Sequence, residues 1–338
     1  MKSITLFSLA GAALLALPAA RGGEITVYSH RHYESDEALF EQFEEKTGIA
    51  VNVVKASADE LIERLKAEGE NTVADVLLAA DAGRLVRAKQ AGALQAVKSE
   101  TLTGRIPENL RDPDNHWFGF TKRARIIAYA KDRVKPEELS TFEALGDDEW
   151  KSRIVVRSSS NIYNQSLLAS ILASSGRDAA LSWAKSIRGN MARPPQGSDR
   201  DQMRAVVAGL ADVAIVNTYY VGLLLNSDDP KDVEVGEAIG IFFPNQEDRG
   251  THINISGGGV VTGSDNVDDA VKFLEFLVSD EAQKTFPDAT SEYPVVDSVS
   301  WGDLQKSWGE FKEDSLGLSV LGEKNEEAVE IFNEAGWE

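Results

Sequence analysis

The sequence contains no cysteine. That absence removes structural disulfides, thiolate nucleophiles, thiolate zinc sites and iron–sulfur clusters, and with them a lipid-anchored cysteine behind any export signal. Three methionines are the whole sulfur content, so a soft metal finds few donors. Basic residues are short as well. The 35 Lys and Arg stand against 55 Asp and Glu, a formal charge of −20. Such a surface repels nucleic acid and anionic lipid, and neither is an expected partner. A cation as ligand is compatible with it. Beyond residue 20 nothing approaches the roughly 20 apolar residues of a spanning helix, so no stable membrane insertion is expected. Catalytic signatures are missing too: there is no Gly-x-Ser-x-Gly turn, no His-Glu-x-x-His helix and no Gly-x-x-x-x-Gly-Lys loop. An enzyme, such as a secreted hydrolase using a hidden carboxylate pair, is the least favoured reading.

A chain of 338 residues with 42% hydrophobic and 27% charged content fits a soluble globular protein of two lobes. Residues 1–20 read as an export signal: Lys2 starts it, Leu6 through Leu17 form its apolar core, and Pro18-Ala19-Ala20 offers small residues for cleavage near Ala20. The mature chain then alternates strand and helix. Strands are expected at 24–29, 50–54 and 74–78, with helices between them capped by Ser35 or Asp36 and by Ser57 or Asp59. The run Phe118 to Tyr129 is long enough for a strand crossing between lobes. Further strands are expected at 151–156, 213–216, 239–244 and 260–262, the last two flanking Gly257-Gly258-Gly259. Helices are expected at 165–174, 200–210 and 270–278. The alternation specifies an α/β fold, and in such sheets ligands sit beyond the carboxyl ends of the strands.

Tyrosines mark those ends. Tyr219 and Tyr220 close the apolar run Val213 to Val216, and only seven tyrosines occur in the chain. Neighbouring side chains on a regular strand point to opposite faces, so both phenols serve one site only if the backbone turns there. Tyr33 and Tyr163 also fall on strand-end loops, with His32 beside the first. Four phenols make poor acid–base catalysts at neutral pH, since tyrosine titrates near 10. They suit a hard, highly charged cation, because a bound metal can displace the phenol proton and a phenolate is a hard oxygen donor. Ferric iron fits that description, with His32 as an added nitrogen donor. Arg123 or Arg125 would offset excess phenolate charge or hold a companion anion.

These residues carry a resemblance. Tyr28-Ser29-His30-Arg31-His32-Tyr33, Ser159-Ser160-Asn161-Ile162-Tyr163-Asn164, Asn217-Thr218-Tyr219-Tyr220 and the run Arg123 to Tyr129 are similar to the periplasmic ferric-iron-binding proteins of ABC importers, in the branch of the cyanobacterial iron-uptake proteins. The resemblance spans nearly all of the mature chain. It implies a two-lobed periplasmic-binding-protein fold, each lobe a mixed sheet flanked by helices, with residues 24–122 plus 253–297 in one lobe and 123–252 plus 298–338 in the other. It implies Fe3+ as cargo, held by Tyr33 from the first lobe and by Tyr163, Tyr219 and Tyr220 from the second, with His32 a ligand in some members. A periplasmic monomer serving an inner-membrane ABC permease follows from the same likeness.

Other readings compete for the same residues. His30 and His32 form a weak zinc pair, since no third histidine is placed by spacing, and His116 and His252 show no partner in the sequence. Tyr28, Tyr129 and Tyr293 are expected to be structural. Arg31 and Arg123, and almost as much Arg125, are expected on a solvated face; as residues of one strand, Arg123 and Arg125 would share it. The glycine run is read as a hinge or as close strand packing rather than an anion nest. Ser158-Ser159-Ser160 near a helix start offers an anion site, and with it a small organic or oxyanion solute, bound without metal, as the alternative cargo.

Overall fold

Alternating apolar and polar residues build β1 (Glu24–Ser29), whose inner positions Ile25, Val27 and Tyr28 are fully buried. It pairs in parallel with β2 (Ala50–Lys55) on one side and β3 (Val76–Ala80) on the other. Helices Ser35–Thr47 and Ala58–Glu68 make the crossovers. The second starts in a capping box: Ser57 accepts from the Glu60 amide at 3.3 Å, and the Glu60 carboxylate accepts from the Ser57 amide at 3.0 Å. The first packs Phe43 edge-on against Phe273 of helix Val267–Leu277, ring centres 5.2 Å apart. The computed structural model describes residues 23–31 and 35–338. The expected export signal, and the ligand candidates His32 and Tyr33, lie outside the described residues.

The spine of the fold is β4 (Phe118–Ala130), 13 residues long and buried along all of its length except the half-buried Tyr129. The remaining strands are β5 (Ile154–Val155), β6 (Val213–Asn217), β7 (Ile239–Phe242), β8 (Ile253–Val260) and β9 (Tyr293–Pro294). They complete a mixed sheet in the order β2-β1-β3-β8-β4-β6-β5, with β7 and β9 also joined to β4. Up to Ala124, β4 pairs with β8 and β9; from Arg125 onward it pairs with β6 and β7. One strand therefore belongs to two sets of partners.

Several boundaries differ from the sequence reading. The glycine run does not separate strands but lies inside β8, which is hydrogen-bonded to β3 and β4. A Cβ at Gly257, Gly258 or Gly259 would overlap the carbonyl oxygen of Phe118, Leu77 or His116 in turn. Close packing of backbones, one of the two roles expected of this run, is what these glycines provide. The helix expected from Gln165 begins at Ile162, because Asn161 caps it by accepting from the Tyr163 amide at 3.1 Å. Tyr163 thereby moves from a loop into the first helical turn. The carboxyl-terminal helix Asn325–Ala335 packs on helices Ile162–Ser175 and Arg177–Asn190, and Trp337 sits between Trp183 and Phe332.

A side chain at Gly258 must push two strands apart, and overpacking of this kind costs about 1–3 kcal/mol. Urea unfolding of Gly258→Ala is expected to show that loss. Gly104, in helix Glu100–Arg105 with open space where its Cβ would be, is the control: Gly104→Ala is expected to be neutral or stabilising by about 0.5 kcal/mol.

Candidate functional site

The buried residues Val213 to Asn217 end β6, and helix Thr218–Leu225 starts at the next residue. This is the turn that the adjacent tyrosines require. Tyr219 and Tyr220 occupy its first turn with ring centres 4.2 Å apart and planes tilted by 31°. Tyr163, in the first turn of helix Ile162–Ser175, places its hydroxyl 3.2 Å from that of Tyr219. Three phenols from two helix starts thus converge. Tyr219 is buried, whereas Tyr163 and Tyr220 are half-buried.

Three guanidinium groups surround the Tyr163 ring, with Arg123, Arg157 and Arg125 at 5.5, 5.7 and 5.9 Å from its centre. Arg125 donates to Asp199 at 2.7 Å, Asn217 at 3.1 Å and Asn164 at 2.7 Å. Arg157 donates to the other Asp199 oxygen at 2.7 Å. Asp199 is wholly buried and also accepts from the Asn217 amide, so one carboxylate fixes two guanidiniums beneath the phenols. Arg123 donates to the Ser256 hydroxyl at 3.2 Å and lies 3.7 Å from Glu292. Its Nε and Nη2 have no partner among the described residues.

The expectation of solvated arginines is therefore overturned. Arg31, Arg123 and Arg125 are all buried, because each faces a buried acid: Arg31 forks onto Asp36 at 2.9 and 3.0 Å and approaches Glu292 at 3.5 Å. Arg123 and Arg125 do share a face of β4, both turned to Tyr163. Burial works against the charge of Arg123, but Glu292 and the neighbouring phenols outweigh it and raise its affinity for the proton. The Tyr220 phenol is pushed well above its ordinary range, first by burial and then by Tyr163 and Asp199, against a pull from Tyr219 and Arg157.

The remaining candidates separate from this cluster. His116 has a partner after all, with Nδ1 3.0 Å from Asp112. Asp112, Asp114 and His116 stand close together, but the Lys89 ammonium already binds both carboxylates at 2.8 Å. The Ser158 and Ser160 hydroxyls satisfy each other at 2.9 Å. Tyr28 and Tyr293 are fully buried. Asn164, Asp199 and Glu292 escaped sequence reasoning: nothing in the sequence separates these two acids from the rest of the 55, and only pairing in space marks them.

Comparison with known proteins places the site in context. The family described as bacterial extracellular solute-binding protein matches residues 29–284. "Iron uptake protein A1" of Synechocystis is 52% identical over 314 residues, covering 93% of this chain and 87% of that protein. A solved Trichodesmium structure (IdiA, FutA) in complex with iron and citrate ligands superposes with a TM-score of 0.92 at 51% identity, over 94% of this chain and 100% of that one. A ferric binding protein from Campylobacter jejuni gives 0.88 at 48% identity, over 93% and 100%.

Two expectations concern the supports of the site. Asp199→Ala leaves the buried Arg125 and the half-buried Arg157 without their shared counter-charge, and a loss of about 3–5 kcal/mol in denaturant unfolding is expected. His252, buried beside Arg125, Arg249 and Arg123, is held neutral, its pKa brought down from 6.5 to about 3 by burial and then by those charges. The unfolded chain takes up this proton first as pH falls. Stability from neutral His252 is thus complete above about pH 6.5 and is lost toward pH 3, at about 1.4 kcal/mol per pH unit. His252→Asn is expected to remove that part of the slope in acid titrations of the melting temperature.

Proposed function

The chain belongs to the family of bacterial extracellular solute-binding proteins, and we propose that it captures ferric iron in the periplasm and delivers it to the inner-membrane permease of an ABC importer. Tyr163, Tyr219 and Tyr220 are the proposed ligands from one lobe; Tyr33 is the ligand proposed from the other, with His32 beside it. The observation that carries this reading is the 3.2 Å separation of the Tyr163 and Tyr219 hydroxyls, with the Tyr220 ring 4.2 Å from that of Tyr219. Two oxygens bound side by side to one small cation at about 2 Å lie about 3 Å apart. An organic or oxyanion solute bound without metal would call for a slot lined by ring faces, whereas these hydroxyls meet at a point. We propose no reaction for the site.

Three phenolates balance the charge of ferric iron and a fourth, from Tyr33, leaves one negative charge in excess, which Arg123 and Arg125 offset. A companion anion would find its donors on Arg123, whose Nε and Nη2 have no partner among the described residues. In this reading residues 24–122 plus 253–297 form one lobe and 123–252 plus 298–338 the other, in a monomer that acts alone until it meets the permease. Iron favours the closed lobes because only they present every ligand together, and that differential affinity shifts the population.

Phenylalanine at both 219 and 220 removes two donor oxygens and little volume. Competition against a chelator is expected to show Tyr219→Phe/Tyr220→Phe binding ferric iron at least about 100-fold more weakly, on the scale of two lost charged contacts. Unaltered affinity would contradict the ligand assignment. Acid is expected to weaken binding as well. Each coordinating phenol gives up a proton, and burial holds the Tyr220 proton tightly. Apparent affinity should therefore fall by about tenfold per pH unit for each proton displaced. Iron retained equally at pH 8 and pH 5 would count against phenolate ligation.

A further inference from the structure

Asp81 follows directly on β3 and has a φ of +89°, a conformation that residues with a Cβ rarely adopt. Its side chain is wholly buried and fully engaged. Oδ1 accepts from the Gly83 amide at 2.9 Å and from the Ser166 hydroxyl at 2.8 Å, while Oδ2 accepts from Asn254 at 2.9 Å. The Asp81 amide donates to the Ile255 carbonyl at 2.8 Å. The β3–β8 side of the molecule therefore holds this residue in a strained shape and turns its carboxylate outward to a helix of the other side. Ser166 is the group it meets. It is fully buried and stands three residues, nearly one helical turn, beyond Tyr163 on helix Ile162–Ser175.

The surroundings favour this approach. A Cβ at Gly83 would lie 3.5 Å from Ile162 and 3.6 Å from Ser166, so the two helices come together where one side chain is absent. Helix Ser319–Glu323 packs on both helix Ala82–Gln90 and helix Ile162–Ser175, and Gly322 abuts Val86 so tightly that a Cβ there would overlap it.

We propose that Asp81 is a positioning residue for iron retention: through Ser166 it latches the helix that carries Tyr163 against the opposite lobe. The inference rests on the two-lobed ferric reading above. Asp81 touches no ligand oxygen in this role. It stabilises the closed arrangement, in which Tyr163, Tyr219 and Tyr220 share one enclosure with the ligands of the other lobe. The strain at residue 81 is what directs the carboxylate across the gap, since ordinary strand geometry would carry its side chain to a face of the sheet.

The test uses the mature protein and Ser166→Ala, which deletes one hydroxyl from a helix without adding volume. Two readouts separate the latch from the iron reading: small-angle scattering of iron-free protein, and the rate at which ferric-loaded protein loses iron to excess chelator. The latch predicts a larger radius of gyration for Ser166→Ala and iron release about tenfold faster or more, as for one lost hydrogen bond to a carboxylate, with the visible absorbance of the loaded protein unchanged. Asp81→Ala should behave as Ser166→Ala does, whereas Asp81→Asn, which tolerates positive φ and keeps one oxygen for Ser166 but turns its amide toward the Asn254 amide, is expected to fall between the wild type and Asp81→Ala. Melting temperatures of all variants report whether they fold. Equal radius for wild type and Ser166→Ala would overturn the latch, whatever the iron result. If the wild type binds no ferric iron, the cargo assignment fails while the scattering comparison still decides whether the hydrogen bond holds the lobes together.

Discussion

A carboxylate with no exposure to water, Asp199, joins Arg125 of β4 to Arg157 and fixes both beneath the ring of Tyr163. Burying these charges is costly unless each is met, and here each carries a hydrogen-bonded opposite. The consequences run outward. Because Arg125 also holds Asn164 and Asn217, it ties the first turn of one tyrosine-bearing helix to the residue immediately before the other. The three phenols are positioned by helices whose starts answer to one ion pair.

On the other part of β4, a second buried acid plays a matching part. Glu292 accepts from Thr121 at 2.6 Å and lies within ion-pair reach of both Arg31 and Arg123. Arg31 immediately precedes His32 and Tyr33 in the chain, and Arg123 faces Tyr163. Two groups of paired charge, one around Glu292 and one around Asp199, thus lie along the strand that serves both sides of the sheet. Such pairing resists local rearrangement, since displacing any member strands a charge in low dielectric. Rigid supports on a shared strand, with tyrosines at its flanks, are what a protein needs if its two halves are to close on a small cation repeatedly in one geometry.

The sequence made the α/β alternation legible, along with the long β4 and the tyrosines at strand ends, because hydrophobic period and aromatic placement are local signals. That the chain turns after Asn217 was readable from the tyrosine pair itself, which can share a site only at a turn; that the turn opens a helix was not. Two more things were hidden. Burial of Arg31, Arg123 and Arg125 depends on Asp36, Glu292 and Asp199, of which Glu292 and Asp199 are distant in sequence and indistinguishable by composition from the rest of the 55 acidic residues. The placement of Gly257 to Gly259 within β8 depended on how closely β3 and β4 approach, a tertiary fact that no local pattern encodes. Strained Asp81 is of the same kind: Asp-Ala-Gly reads as the plain end of a strand until its φ and its partner Ser166 are seen.

The measurement closest to the central claim is a visible absorbance titration of the mature protein with ferric citrate. Ligation by Tyr163, Tyr219 and Tyr220 predicts a broad phenolate-to-iron charge-transfer band that saturates at about one iron per protein, as one site of hard oxygen donors requires. A protein that develops no such band and keeps no iron after desalting would contradict the account.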